Sequence, residues 1–212
     1  MREPNEFHQG EHICVVYQTA EEQRAVAADY LSDGLRRGER AYYVADSAES
    51  LELFNRALSL LSIDVAEALR TTALVEATHA EAHLVDGCFD SERMLRLLNI
   101  GIEAAVDAGF SGLRTCGDMS WLLGDPSGAE QVVEYEALLN HLFLGAPACG
   151  MCQYDASRLP ARLLHHGLAT HSTVVIDRRH KSNPYYRPGA VASLHVAHED
   201  DVRWKLQELR RR

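Results

Sequence analysis

The residues best suited to binding or chemistry follow a short apolar run near the middle of the chain. Positions 113–121 read LRTCGDMSW, so the apolar run stops at Gly117 and is followed by Asp118 and Trp121. In an α/β sheet, polar groups at the end of a strand face the crevice along the carboxyl edge. The stretch contains no lysine, serine-histidine pair or glycine-rich loop. It therefore predicts a binding site but names no reaction.

Other polar and aromatic side chains are predicted at the same edge of the sheet. They combine hydrogen-bonding groups with aromatic faces, which suits a mostly apolar pocket for a small organic molecule. We predict a ligand site drawn from His12, Cys14, Tyr17, Arg114, Asp118, Trp121, Glu136, Gln153, Tyr154 and His171. No nucleophile stands beside a recognisable base, so we expect a binding protein without a cofactor rather than an enzyme.

Arg114 and Glu136 allow two interpretations. They could form a partly buried ion pair that braces a helix against the sheet, because neither charge is easily buried alone. Glu136 could instead face the pocket together with Asp118 and Trp121. Both interpretations can hold for one site.

A metal site is an alternative interpretation. His12 and Cys14 lie two residues apart on a predicted strand and share a face, and with Cys116 or Cys152 they would supply imidazole and thiolate ligands. The competing interpretation is that the cysteines are small core residues. The Cys149-to-Cys152 spacing has the C-x-x-C form, but it falls inside a predicted strand rather than at a helix start, which argues against redox chemistry.

The first strand-to-helix turn is where a phosphate-binding loop would lie. Positions 17–22 read YQTAEE, with no glycine, no lysine and two carboxylates. Because a P-loop needs backbone amides and a lysine around the phosphates, ordinary nucleotide hydrolysis is not expected. A nucleotide-binding remnant is a third interpretation, and it rests on fold analogy alone.

Strands alternate with helices along the chain, which predicts an α/β fold with a mostly parallel central sheet and helices on both faces. The predicted strands cover residues 12–17, 40–45, 72–76, 113–118, 148–154 and 170–176. The predicted helices cover residues 20–37, 47–61, 91–108, 129–144, 156–166 and 198–212. The last helix carries a narrow apolar seam of Val202, Leu206 and Leu209, suited to a partner helix or a second subunit.

Composition limits the class of protein. The chain has 212 residues, 46% hydrophobic and 25% charged, with a formal charge of -10, which fits one globular domain. No apolar run reaches the ~20 residues that span a membrane, and the acidic start does not resemble a secretion signal. We therefore expect a cytoplasmic protein that does not bind membranes or nucleic acid directly. The basic runs at 178–181 and 210–212 are expected to be solvated ends or partner contacts.

Five runs in register resemble one known family. They are 10–17 (GEHICVVY), 33–40 (DGLRRGER), 113–121 (LRTCGDMSW), 135–140 (YEALLN) and 152–155 (CQYD), followed by an NPYYxP ending at 183–188. The series resembles the MEDS domain, the methanogen/methylotroph DcmR sensory domain, over residues 7–188. Asp118 stands where the family usually has glutamate, and Ser172 follows His171 where proline is usual.

The resemblance implies a three-layer RecA/KaiC-like fold without a working P-loop. It also implies a sensory role in signalling or transcription control, with small hydrocarbon derivatives as ligands. We predict a sensory domain at 7–188 and a helical extension at 189–212. The extension would pass the signal to a partner protein or to a second copy of the chain.

Overall fold

The computed structural model describes residues 7–188 and 198–212. The predictions for the acidic start of the chain and for the first part of the 189–212 extension lie outside these residues. The strands are β1 (His12–Tyr17), β2 (Arg40–Ala45), β3 (Leu74–Thr78), β4 (Leu113–Asp118), β5 (Ala148–Asp155), β6 (Thr173–Ile176) and β7 (Arg179–Ser182). The helices are α1 (Ala20–Arg36), α2 (Ala48–Leu60), α3 (Val65–Arg70), α4 (Ser91–Asp107), α5 (Val132–Phe143), α6 (Ala161–Thr170) and α7 (Glu199–Arg211).

The strands form one sheet in the order β3-β2-β4-β5-β1-β6-β7. All neighbouring pairs are parallel except β6 with β7. The central strands β1 and β5 are buried along their whole length, which explains their continuous apolar sequences. The predicted α/β class and mostly parallel sheet are confirmed.

Two apolar cores separate the layers. Helices α1, α2 and α3 pack on one face of the sheet, with Tyr30, Leu31 and Phe54 among the buried residues. Helices α4, α5, α6 and α7 cover the other face, where Met94 and Leu139 are buried. We call these the α1 face and the α5 face. Because side chains alternate along a strand, neighbouring residues of each strand belong to different faces.

The region between β5 and β6 differs from the prediction. Helix α6 begins after Pro160 rather than at residue 156, because the Asp155 carboxylate accepts hydrogen bonds from the backbone and hydroxyl of Ser157 and forms a turn. The helix then runs to Thr170 and makes His171 its C-terminal cap. Strand β6 therefore begins at Thr173, and His171 precedes the strand instead of opening it.

Three further elements differ from the prediction: two were not predicted, and one begins later than predicted. The short helix α3 follows an Asp64 side-chain cap, and the predicted helix at 129–144 begins with a 3-10 turn before α5. The basic run at 178–181 contributes strand β7. Asp177 and Arg178 both have positive φ, 51° and 59°, as a two-residue hairpin requires. Aspartate is usual at the first of these positions, but Arg178 stands where glycine is usual, so the pattern did not indicate a hairpin.

The seam of the last helix is buried within the chain itself. Val202, Leu206 and Leu209 are 2%, 7% and 0% exposed and belong to the same core as α6. The predicted partner contact through these three residues is therefore corrected: they hold α7 against its own domain. Among the residues that the structure describes, no helix is long and apolar enough to cross a membrane.

Candidate functional site

The predicted site residues lie on both faces of the sheet and at both ends of its strands, so they do not form one pocket at the carboxyl edge. The α1 face carries Tyr17, Arg114, Cys116, Asp118 and Gln153. The α5 face carries His12, Cys14, Trp121, Glu136, Cys152, Tyr154 and His171. The alternation of side chains along β1, β4 and β5 causes this division.

Arg114 is a structural residue on the α1 face. Its Nε lies 2.5 Å from Glu39 Oε2, and its Nη1 donates to Asp33 Oδ2 at 3.1 Å and to the Tyr30 carbonyl at 3.2 Å. A Cβ at Gly34 would lie 2.6 Å from Arg114 Cδ, so α1 requires a glycine where the side chain crosses it. The predicted ion pair with Glu136 is wrong, because the sheet separates the two residues.

Asp118 is at the carboxyl edge, as predicted, but the chain supplies its partners. Tyr17 Oη donates to Oδ1 at 3.2 Å, and Ser120 donates through its backbone N–H to Oδ1 and through Oγ to Oδ2 at 3.1 and 2.5 Å. His79 Nε2 lies 3.7 Å from Oδ2. Burial raises the pKa of Asp118, although the Ser120 bonds and His79 oppose the rise. Gln153 likewise donates inside the chain, to the Gln23 carbonyl at 3.0 Å.

Four buried side chains converge on the α5 face, nearer the strand starts. The His12 and His171 Nε2 atoms lie 3.3 and 3.1 Å from Glu136 Oε2, and Cys152 Sγ lies 3.6 Å from His12 Nε2. One ligand atom from each residue lies within 4.8 Å of all the others. We call these four residues the Glu136 cluster. The cluster unites three predicted ligand residues with one cysteine of the predicted metal set.

Hydrogen bonds around the cluster fix the orientation of both imidazoles. His171 Nδ1 lies 2.7 Å from the Gly167 carbonyl oxygen, which only accepts, so Nδ1 carries the hydrogen. Asn140 Nδ2 donates to the carbonyls of residues 136, 137 and 170. This turns Asn140 Oδ1 toward His12 Nδ1, 3.4 Å away. Both imidazoles therefore direct Nε2 toward Glu136.

The charge state of the cluster follows from its burial. Burial lowers the pKa of His12 to about 4, and the neighbouring His171 adds to this effect. Burial opposes the Glu136 charge, but the two imidazoles outweigh it and hold the pKa of Glu136 below its usual range. Burial, followed by Glu136, raises the pKa of the Cys152 thiol well above its usual range. Both Glu136 oxygens and His171 Nε2 lack a hydrogen bond of good geometry to any described residue.

The remaining cysteines of the predicted metal and C-x-x-C sets do not join this cluster. Cys116 and Cys149 belong to the core on the α1 face, which corrects the inclusion of Cys116. Cys14 shares the α5 face but packs in the apolar core outside the group of four. Cys149 and Cys152 are three residues apart on β5 and therefore point to opposite faces, so they do not form a disulfide pair.

A small inner cavity adjoins the cluster, between the sheet and helices α4 and α5. It has a volume of about 40 Å³, and Glu136 and Cys152 form part of its wall together with His83, Trp121 and Tyr135. Trp121 stacks on His83 with ring centroids 5.5 Å apart. His83 Nδ1 and Trp121 Nε1 are buried without a hydrogen-bond partner among the described residues.

A larger outer cavity opens on the other side of His12. It has a volume of about 490 Å³ and is lined in part by His12, Asn140, Thr170, Tyr186 and Arg187. His12 is 3% exposed and lies between this cavity and the rest of the cluster. The cluster is therefore flanked by an inner cavity and an outer one.

The first strand-to-helix turn has no open phosphate cradle. Thr19 caps α1 by accepting from the Glu22 amide at 3.1 Å, and the Glu22 carboxylate accepts from the Gln18 amide at 2.9 Å. This reciprocal capping occupies amides that a phosphate would need. The nucleotide-binding interpretation therefore gains no support from this turn.

The fold is that of an α/β domain of the RecA/KaiC-like class. The chain is similar to a KaiC-like protein, PH0186, from Pyrococcus horikoshii OT3, with 13% identity, a TM-score of 0.54, and coverage of 79% of this chain and 71% of that one. It is also similar to the flagellar accessory protein FlaH from Methanocaldococcus jannaschii, with 14% identity, a TM-score of 0.54, and coverage of 78% and 70%.

The family follows from the sequence match. The chain belongs to the MEDS family, described as the MEthanogen/methylotroph, DcmR Sensory domain, whose profile matches residues 11–172. The predicted family and the RecA/KaiC-like fold are confirmed. Its membership of a family of sensory domains supports a regulatory sensing role. A comparison with curated proteins found no match to the chain.

The predicted ligand set missed most of the inner cavity wall, including His83 and Tyr135. His83 lies in the irregular segment before α4, where no periodic pattern shows which way a side chain points. Tyr135 reads as an ordinary apolar position of α5. The His79-to-His83 spacing was visible, but the segment forms turns rather than a helix, and only the tertiary structure places His83 against Trp121.

Proposed function

We propose that this chain is a sensory domain that binds a small organic molecule in the inner cavity. The observation that carries the proposal is that three residues of the cavity wall, His83, Trp121 and Glu136, each have a buried polar atom (Nδ1, Nε1 and Oε1) without a hydrogen-bond partner among the described residues. An unpaired buried polar atom costs about 1–3 kcal/mol. A ligand with a polar group that pairs with these atoms would offset that cost.

The size and lining of the cavity limit the ligand. A volume of about 40 Å³ holds roughly two or three water molecules, so a ligand of a few non-hydrogen atoms fits. Met94, Leu98 and Phe143 supply apolar walls, which favour a short carbon chain with a polar group at one end. This chemistry agrees with the small hydrocarbon derivatives that the family resemblance implies.

The proposal is for binding without turnover. The Cys152 thiol forms part of the inner cavity wall, and burial keeps it protonated at neutral pH. The imidazoles beside it face Glu136 rather than a reacting atom. These features support a regulatory domain, acting in the cytoplasm on a signalling or transcription partner, more than an enzyme.

A route for the signal starts at α5. Glu136 lies on α5, which packs on α6, and α6 packs on α7. A ligand that contacts Glu136 and Trp121 would shift the balance between two arrangements of these helices. Trp204 on α7 is 54% exposed, and we place the contact with the partner protein on this outer side of α7.

A thermal-shift screen tests the ligand site. A ligand of about three non-hydrogen atoms gains at most about 4.5 kcal/mol, so its Kd is no tighter than about 0.5 mM. A panel of one- to four-carbon alcohols, amines and haloalkanes should therefore be tested at ligand concentrations from about 10 to 100 mM. At ten times Kd the stabilisation is about 1.4 kcal/mol, a rise in Tm of roughly 3–5 °C.

The two tryptophans provide a matched control. Trp121→Phe keeps an aromatic ring but removes the N–H donor, so the shift should fall by at least half. Trp204→Phe makes the same change on the exposed face of α7 and should leave the shift unchanged, while its fluorescence then reports Trp121 alone. The proposal fails if no panel member stabilises the protein, or if Trp121→Phe responds like the parent chain.

A further inference from the structure

We propose that the Glu136 cluster binds a divalent transition metal of the zinc class. This goes beyond the organic ligand proposed above, because the metal would lie outside the inner cavity and share only Glu136 and Cys152 with its wall. The four donors come from β1, α5, β5 and the residue after α6. Two imidazoles, a carboxylate and a thiolate are a ligand set that zinc accepts.

The distances in the cluster fit tetrahedral coordination. Nitrogen and oxygen ligands about 2.0–2.1 Å from zinc lie roughly 3.3 Å apart, and nitrogen and sulfur ligands roughly 3.6 Å apart. The corresponding distances here are 3.3 Å for His12 to Glu136, 3.1 Å for His171 to Glu136 and 3.6 Å for Cys152 to His12. The widest pair lies within 4.8 Å, so side-chain adjustments of about 1 Å complete the site.

The hydrogen bonds outside the cluster have the pattern of a metal site. Metal-binding histidines usually donate their second N–H to a carbonyl or amide oxygen, which fixes the tautomer and aims the other nitrogen at the metal. His171 does so through Gly167, and His12 does so through Asn140. Both Nε2 atoms therefore point at the Glu136 carboxylate, and the three groups surround a position suited to a cation.

The chemistry of the donors selects among metals. The hard cations Mg²⁺ and Ca²⁺ prefer oxygen ligands, and the cluster supplies a single carboxylate. Imidazole and thiolate favour zinc, cobalt, nickel or copper. Binding displaces the proton of the Cys152 thiol, which burial otherwise holds in place, so one proton leaves the protein for each metal ion bound.

The outer cavity provides a route for the metal. His12 and Asn140 line this cavity, and His12 is also a cluster ligand. Rotation of the His12 side chain toward the outer cavity would open the cluster to solvent. The inner cavity lies on the opposite side, so an organic ligand there would not block entry.

Cobalt titration of the untagged full-length chain under reducing conditions tests the site. Co²⁺ in a tetrahedral site with a thiolate gives visible d–d bands and a sulfur-to-metal charge-transfer band. We expect about one equivalent to bind, with both features present, and Zn²⁺ to displace the cobalt and raise Tm. Less than a tenth of an equivalent of Co²⁺ and of Zn²⁺, with no change in Tm, overturns the proposal.

The two cysteines of β5 supply the matched control. Cys152→Ala should lose the charge-transfer band and weaken metal binding at least tenfold. Cys149→Ala removes a thiol of the same strand that points to the other face, and it should bind cobalt like the parent chain. Retention of the charge-transfer band in Cys152→Ala, or its loss in Cys149→Ala, contradicts the assignment.

A second variant covers the case in which Cys152→Ala does not fold, as judged by circular dichroism. Asn140→Leu leaves all four donors but removes the amide that orients His12, and it should weaken cobalt binding by about 10- to 100-fold. Unchanged affinity in this variant contradicts the role given to His12. The metal test does not involve Trp121. A chain that binds a metal but no organic ligand supports only the metal site, and a chain that binds an organic ligand but no metal supports only the ligand site of the inner cavity.

Discussion

The sheet of this protein buries a charged group on each face, and the two groups are satisfied to different degrees. On the α1 face, Arg114 is fully buried and is paired with Glu39, Asp33 and a backbone carbonyl. On the α5 face, Glu136 is also buried, but it meets two imidazoles rather than a guanidinium, and its oxygens lack a hydrogen bond of good geometry to any described residue. Arg114 therefore stabilises the fold. Glu136 instead keeps oxygen atoms to which a metal ion or another ligand would bind.

The cavities follow the same division. The inner and outer cavities described above both adjoin the Glu136 side of the sheet, whereas Gly34 packs directly against the Arg114 side chain. Proteins commonly give up some stability at binding sites and recover it elsewhere. Changes on the two faces are therefore expected to differ in size, with the larger loss of stability on the α1 face.

The largest expected effect is on the α1 face. Arg114→Met leaves the buried Glu39 carboxylate with the Gln9 amide but without its cationic partner, so the free energy of unfolding should fall by about 3–5 kcal/mol. Urea denaturation measures it. The double variant with Glu39→Gln should recover part of the loss, because the unpaired charge is then absent. A loss below about 1 kcal/mol would show that Arg114 is not the structural charge described here.

The second prediction concerns pH and His83, on the wall of the inner cavity. Burial, with a contribution from His79, lowers the pKa of His83 to about 3. An unfolded chain takes up this proton near pH 6.5, whereas the folded one does not, so stability falls as pH drops below 6.5. From pH 7.5 to 5 the loss from this group is about 2 kcal/mol.

The variant His83→Gln isolates that contribution from the other histidines. Its stability should depend less on pH than that of the parent chain, and the difference between the two should change by about 2 kcal/mol between pH 7.5 and 5. Chemical denaturation at several pH values measures this difference. Parallel pH profiles for the two proteins would contradict a neutral, buried His83.

The third prediction is a smaller loss than the first. Glu136→Gln, measured with a chelator present, should lower the free energy of unfolding by about 1 kcal/mol, because the imidazoles that stabilise the carboxylate charge gain only a neutral amide in its place. The same variant should bind cobalt at least tenfold more weakly. A loss of about 3 kcal/mol or more would place Glu136 with Arg114 as a structural charge.

The smallest effect is expected at an exposed ion pair, which provides a reference for the other three predictions. Arg178 forms an exposed ion pair with Asp29 at 2.8 Å, and both side chains are about half exposed. Arg178→Ala should change the free energy of unfolding by less than about 0.5 kcal/mol, since water and salt screen such pairs. A loss as large as that of Arg114→Met would contradict the view that burial sets the stability lost when an ion pair is broken.

The sequence by itself determined the layers of the fold and the family. The apolar strands β1 and β5, the capping residue Thr19 and the periodic helix α4 each follow local patterns that depend on near neighbours along the chain. The absence of a P-loop is likewise a property of six consecutive residues. For the candidate site, the sequence indicated His12, Glu136, His171 and, as a metal alternative, Cys152. The ligand residues were predicted at the carboxyl edge of the sheet together with Arg114 and Asp118, whereas the cluster lies nearer the strand starts on the α5 face.

Only the tertiary structure decided which of these side chains meet. The four ligand atoms come from positions 12, 136, 152 and 171, and a shift of one residue in any strand would turn its side chain to the other face. The extension of α6 to Thr170 fixes His171 beside Glu136, and the packing of α4 and α5 leaves the cavity against Trp121. Such contacts depend on register and helix length, which are set by packing across the whole domain rather than by local sequence.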